Sequence, residues 1–176
     1  MNTALVLIDI QNDYFPGGKM ELEGSGPASE HAERLITFFR DNNLPLVHIQ
    51  HIATHPTATF FVPNTEGVRH RLNVQPRAAE TVFQKHFPNS FRETPLLDHL
   101  RAHKIDRVVI AGMMTHMCVD ATVRAATDFG FQSLTASDAC ATRALMHDGN
   151  VVPAVNVAQC VPRRAERSVR PGNDDR

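Results

Sequence analysis

The 176-residue sequence predicts an α/β fold in which a doubly wound, mostly parallel sheet is flanked by helices. Three short apolar runs lead to it: Ala4 to Ile10, Pro45 to Ile49 and Arg107 to Ala111. Each is too short for a buried helix and is followed by loop signals or a helical pattern, as buried parallel strands are. The intervening segments carry apolar residues at helical spacing. Strand, helix, strand, helix, strand is the order of a doubly wound domain.

Taken in order, the first helix is expected over Ser29 to Asp41, where Ala32, Leu35, Ile36, Phe38 and Phe39 recur on one face. A second is expected over Thr94 to His103, through Leu96, Leu97 and Leu100. Thr81 to Phe83 and Gln132 to Ala136 are short enough to be further strands. Cys118 to Phe129 reads as a helix closed by Gly130 as its C-cap. Sheet order does not follow from these patterns. The segment from Ile52 to Pro76, with Pro56, Pro63, Asn64 and Gly67, exceeds ordinary connection lengths, and such loops are usually lids, binding loops or contact arms.

Charge narrows the function classes. Lys and Arg total 18 against 19 Asp and Glu, a net charge of -1, so there is no broad field to steer nucleic acid or an anionic membrane. No run of about 18 apolar residues occurs, and the start of the chain lacks the basic residues and long apolar core of a secretory signal. Three cysteines, Cys118, Cys140 and Cys160, form no CxxC pair and leave an odd count, which suits a reducing compartment. A cytoplasmic protein acting on a small molecule, without nucleic-acid or membrane partners, is the expectation.

In an open α/β sheet, ligands bind at the carboxyl ends of the strands. Asp9, Lys85 and the stretch Thr115 to Cys118 fall there. Cys118 follows VVIAGMMTHM, a strand and a glycine-started turn leading into a helix, and a helix N-terminus favours the thiolate. A lone cysteine is nonetheless more often a small buried hydrophobe. Asp9 is a carboxylate in an apolar strand, and an unpaired buried charge costs several kcal/mol, so it needs a partner or a task. Capping nearby amides would also satisfy it. Lys85 taken alone is as readily a solvated lysine.

Together these blocks resemble the isochorismatase-like cysteine hydrolases. That family has an N-terminal strand ending in Asp, here LVLIDIQNDYF, then a Lys followed by Ser and Phe, here KHFPNSF, then a cysteine block, here GMMTHMCVDATVRAA. The similarity runs from about Ala4 to about Val157. It implies the isochorismatase-like, Rossmann-like three-layer form of the fold. It also implies a catalytic set of Asp9 as base, Lys85 as charge stabiliser and Cys118 as nucleophile, attacking a small amide or related C–N acyl bond through a thioester. A non-proline cis peptide between Met113 and Met114 is implied as well, with the backbone N–H groups of Met114 and Cys118 as an oxyanion hole. No cofactor is required, and a homo-oligomer is the common state of such proteins.

His48, His51 and His55 invite a metal reading. The nicotinamidase branch holds its metal with an Asp-x-His pair, and the corresponding His48, Ile49, Gln50 lacks the Asp. The histidines are therefore read as strand-end and pocket residues, and no metal is expected. Members that hydrolyse isochorismate itself lack the cysteine, so that branch is disfavoured too. Gln11, Phe15, Phe60, Phe61 and His116 are the expected substrate-binding walls, with core packing the alternative for the adjacent phenylalanines. A metal-dependent amidase, or a non-catalytic or redox-sensing protein of the same fold, are the competing readings.

The domain is expected over 1–157. From Ala158 the chain turns rich in arginine with little apolar periodicity, where the family would continue with an apolar helix and a last strand. Residues 158–176 are read as an atypical basic tail, and a shift of reading frame near Ala158 would account for it.

Overall fold

The computed structural model describes residues 1–161. Its centre is a five-stranded parallel sheet in the order β3-β2-β1-β4-β5, built from β1 (Thr3–Ile8), β2 (Leu46–His51), β3 (Thr81–Lys85), β4 (Arg107–Met113) and β5 (Gln132–Ala141). The chain leaves β1 towards one edge through β2 and β3, then returns to β4 on the other flank of β1. The reversal lies between β1 and β4, and the carboxyl ends of these two strands border the crevice where such sheets place ligands.

The faces are covered in two layers. β1 alternates, sending Leu5 and Leu7 to one face and Ala4, Val6 and Ile8 to the other. Helix α1 (Ser25–Asp41) packs on the first face through Ala28, Ala32, Ile36 and Phe39. Helices α2 (Leu96–Ala102) and α3 (Asp120–Asp128) cover the second through Leu96, Leu100, Val123 and Ala126. Among the described residues no helix is long and apolar enough to cross a membrane.

The structure departs from the sequence patterns at several boundaries. β1 stops at Ile8, and Asp9 stands beyond it in a left-handed conformation with φ of 52°. Helix α1 starts one turn early, after Gly24 with φ of 74°. β5 continues to Ala141 because, past a register shift opposite Ile110 to Gly112, Cys140 and Ala141 rejoin the ladder. A hairpin of β6 (Leu145–His147) and β7 (Asn150–Val152) was not apparent in the apolar pattern. Its turn, Asp148 and Gly149, takes positive φ at both residues, as two-residue hairpin turns require. A short helix α4 (Ala154–Gln159) follows. The expected tail from Ala158 begins within it, and residues 162–176 lie outside the described residues.

Gly112 fixes the distance between β1 and β4. It pairs with Ile8, its φ is 137°, and a Cβ there would stand 2.0 Å from the Ile8 carbonyl oxygen. Only a residue without a side chain permits that approach. Gly112→Ala should therefore cost at least about 3 kcal/mol from clash and backbone strain together, lowering Tm by about 6–12 °C for a domain of this size. A Tm within a degree of wild type would show that the strands can part freely.

A second tie joins α1 to β2 and to the entry of β3. Arg40 Nε and Nη2 donate to the two Glu80 carboxylate oxygens at 2.7 and 2.9 Å, and buried His48 meets the same carboxylate at 3.0 Å. Burial raises the Glu80 pKa, but the donors from Arg40, the Arg77 amide and His48 outweigh it and hold the carboxyl at about 2. A depressed carboxyl pKa stabilises the fold fully above the ordinary value of 4.5 and loses that contribution as pH falls towards the folded value. Its size is on the order of 2–3 kcal/mol. The urea-midpoint difference between wild type and Glu80→Gln should be largest near neutrality and shrink by more than half by about pH 3. A constant difference across that range would remove Glu80 as its source.

Candidate active site

At the carboxyl end of the sheet, three strands deliver three side chains to one buried point. Asp9 follows β1, Lys85 is the last residue of β3, and Cys118 lies in the turn after β4. Asp9 and Lys85 are both 0% exposed, and Lys85 Nζ is 2.7 Å from Asp9 Oδ2. The contact is a buried ion pair. Lys85 also donates to His51 Nδ1 and to the Phe87 carbonyl, each at 3.0 Å. A lysine ending an edge strand is ordinarily solvated. Here the chain after β2 and after β3 covers it.

Cys118 does not open an α-helix as expected. Thr115–Val119 form one turn of π-helix, α3 begins at Asp120, and the Met114 carbonyl accepts from both Met117 and Val119 amides. The Met113–Met114 peptide is cis. The Cys118 sulfur, an Asp9 carboxylate oxygen and a His51 ring nitrogen all lie within 4.8 Å of one another.

Electrostatics correct a second expectation. The thiol is not lowered by its helix start: burial pushes its pKa up to about 12, the Asp9 charge adds to the rise, and Lys85 opposes it without prevailing. For Lys85, burial works against the ammonium, and Asp9 and Cys118 outweigh it, so its pKa stands above the ordinary lysine value. His51 is lowered to about 4, first by burial and with a further push from Lys85, although Asp9 opposes both. At neutral pH the point holds an ammonium, a neutral imidazole and a neutral thiol beside Asp9.

The histidine cluster of the sequence separates in space. His48 turns to Glu80, His51 to Lys85, and exposed His55 to Thr57. Asp9, His51 and Cys118 are close enough to share a cation, but the cation that Asp9 and His51 already face is the Lys85 ammonium, which a metal would have to displace.

The expected pocket walls divide. Gln11 is not free for a substrate, because its amide is fully engaged with backbone. Its Nε2 donates to the His51 and Val68 carbonyls at 2.9 and 2.7 Å, and its Oε1 accepts from the His51 N–H at 2.7 Å. Phe15 is a core residue, 1% exposed, with the Arg71 guanidinium 4.6 Å above its ring. Phe61 packs against His51 with ring centres 5.7 Å apart, and Phe60 leans on Phe61 and Tyr14. Half-buried His116 sits two residues before Cys118 and meets the Thr142 hydroxyl through Nδ1. Buried Met114 stands at the start of the cysteine turn.

Sequence reasoning missed Tyr14. Its ring packs on Phe61 at 4.6 Å, and its hydroxyl pKa is raised well above the ordinary value by burial, then by the nearby Cys118 and Asp9. One signal could have marked it, an aromatic residue five positions past a strand-end carboxylate. The long loop is pinned over the site by Asp13, whose Oδ2 accepts the Phe61 N–H at 2.6 Å and which is packed too closely on Gly67 for any Cβ there.

Comparison with known proteins identifies the family. Residues 3–154 match the isochorismatase domain. An uncharacterized isochorismatase family protein of Bacillus subtilis, YddQ, is 47% identical over 157 residues, covering 89% of this chain and 87% of that protein. A crystal structure assigned to the isochorismatase hydrolases, from Oleispira antarctica, superposes with a TM-score of 0.85 at 43% identity over 90% of this chain and 85% of its own. That of N-carbamoylsarcosine amidase from Thermoplasma acidophilum does so with 0.76 at 27% identity, over 81% and 86%. The sheet, its helices and these matches together place the chain in the isochorismatase family of hydrolases.

Proposed function

We propose that the protein is a cysteine-dependent hydrolase of a small amide or related C–N acyl bond. One observation carries the reading: a buried cysteine sulfur within 4.8 Å of a buried carboxylate oxygen, with an ammonium 2.7 Å from that carboxylate. The similarity to an amidase supports the class of bond.

In this reading the thiol rests protonated. Asp9 takes the Cys118 proton as Sγ bonds to the substrate carbonyl carbon. Lys85 stays charged and balances the carboxylate and the forming sulfur anion. The carbonyl oxygen gains the displaced electron pair, and the backbone N–H groups of Met114 and Cys118 receive it, a kind of contact worth about 10²- to 10³-fold in rate. The C–N bond then breaks and the nitrogen leaves with the proton from Asp9. Water attacks the thioester, a carboxylic acid departs, and the thiol regains its proton.

The phenylalanine pair and His116 flank the point where the acyl group would sit. A redox-sensing role needs a thiol that ionises readily, and burial beside a carboxylate acts against that.

The test is release of ammonia or amine from a panel of small amides, ureido acids and carbamoyl compounds by wild type and Cys118→Ala. Turnover should fall at least about 10⁴-fold in the variant, as loss of a nucleophile does elsewhere. Circular dichroism should show the variant still folded. Unchanged turnover in folded Cys118→Ala would sink the cysteine mechanism.

A further inference from the structure

We propose that His51 is a positioning residue of this site: its unprotonated Nδ1 accepts a hydrogen bond from Lys85, and Gln11 clamps the His51 backbone so that this acceptor stays in place. The inference rests on the hydrolase reading above, and deepens it by naming what aims the ammonium.

The geometry begins with Lys85. An ammonium has three hydrogens and no lone pair, and Lys85 Nζ has three oxygen or nitrogen neighbours: Asp9 Oδ2 at 2.7 Å, His51 Nδ1 at 3.0 Å and the Phe87 carbonyl at 3.0 Å. Two of these cannot vary in kind, since a carboxylate and a carbonyl only accept. His51 can accept at Nδ1 only if its proton is on Nε2. The contact with Lys85 therefore selects one tautomer, and an imidazolium would present a donor to a donor.

His51 is held for that task from three directions. Its N–H donates to Gln11 Oε1 and its carbonyl accepts from Gln11 Nε2, at 2.7 and 2.9 Å. Its ring lies against Phe61, which the Asp13 carboxylate anchors at its backbone. Gln11 is itself fully buried, and both of its amide hydrogens are spent on backbone carbonyls. The groups facing the Lys85–His51 pair are Asp9 after β1, His86 after β3 and Cys118 after β4. Of these only Asp9 offers Lys85 a carboxylate, so the ammonium needs His51 as well to keep its direction towards Cys118.

Nitrogen-15 NMR of histidine-labelled protein tests the tautomer directly, without turnover. The expected result is an unprotonated Nδ1 and a protonated Nε2 in wild type from about pH 6 to 9. A proton on Nδ1 would overturn the proposal. Two variants test the consequence, with Lys85 Nζ followed by NMR. In His51→Leu the ammonium should lose its proton at lower pH than in wild type. In His51→Asn, whose side-chain oxygen can replace the ring nitrogen as acceptor, it should recover. An unchanged Lys85 titration in folded His51→Leu would also overturn it. If amide turnover is found, kcat in His51→Leu should fall about 10- to 100-fold with KM within about twofold, and His51→Asn should restore part of it. Loss confined to KM would make His51 a substrate contact instead. Because both NMR readouts are independent of catalysis, a failed hydrolase reading and a failed role for His51 give different results.

Discussion

Lys85 and Asp9 form an ion pair with no exposure to solvent, and much of the architecture around them follows from that demand. Removing two charges from water costs several kcal/mol per ion before their attraction returns any of it, so the protein must hold them close and supply further polar partners. It does so with backbone and neutral groups: the Phe87 carbonyl and the His51 ring for the lysine. Asp9 itself stands in a left-handed conformation beyond the end of β1. Such positions persist when the surroundings over-determine them. Here β4 presses on β1 through a glycine that admits no side chain.

The same demand explains the long loop. Lys85 closes an edge strand, where water would normally reach it. The segment after β2 lies over this end of the sheet because Asp13 binds the Phe61 amide and packs on Gly67, and because Gln11 reaches the Val68 carbonyl. These anchors come from the residues just after Asp9. One short stretch, 9–14, thus supplies a charged group of the site, the clamp on His51, the loop anchor and an aromatic wall.

How much of this was legible depends on whether a residue's partner is near in sequence. The parallel strands and helices were legible because their apolar spacing is local, and the three chemical blocks because each keeps its own residues together. Lys85 was legible only in company, since nothing around it forecasts its burial. Gln11 was misassigned for a related reason: a polar residue beside a strand-end carboxylate invites a role at the substrate, but its partners are backbone atoms some 40 and 57 positions away. Phe15 and the continuation of β5 past residue 136 depended likewise on packing and on a register shift that no periodicity encodes. The hairpin was overlooked although Asp148-Gly149 is a turn signal, because its strands are too short and mixed to show alternation.

Burial of Cys118 also bears on oxidation. Peroxides attack thiolates, and sulfenic acid forms slowly where the sulfur is neutral and screened from solvent. Cys118 is buried and burial raises its pKa, whereas Cys160 is exposed, so a peroxide should meet the Cys160 sulfur first. On the reading proposed above, such resistance would come from a sulfur that stays protonated until a carbonyl carbon arrives to receive its electron pair.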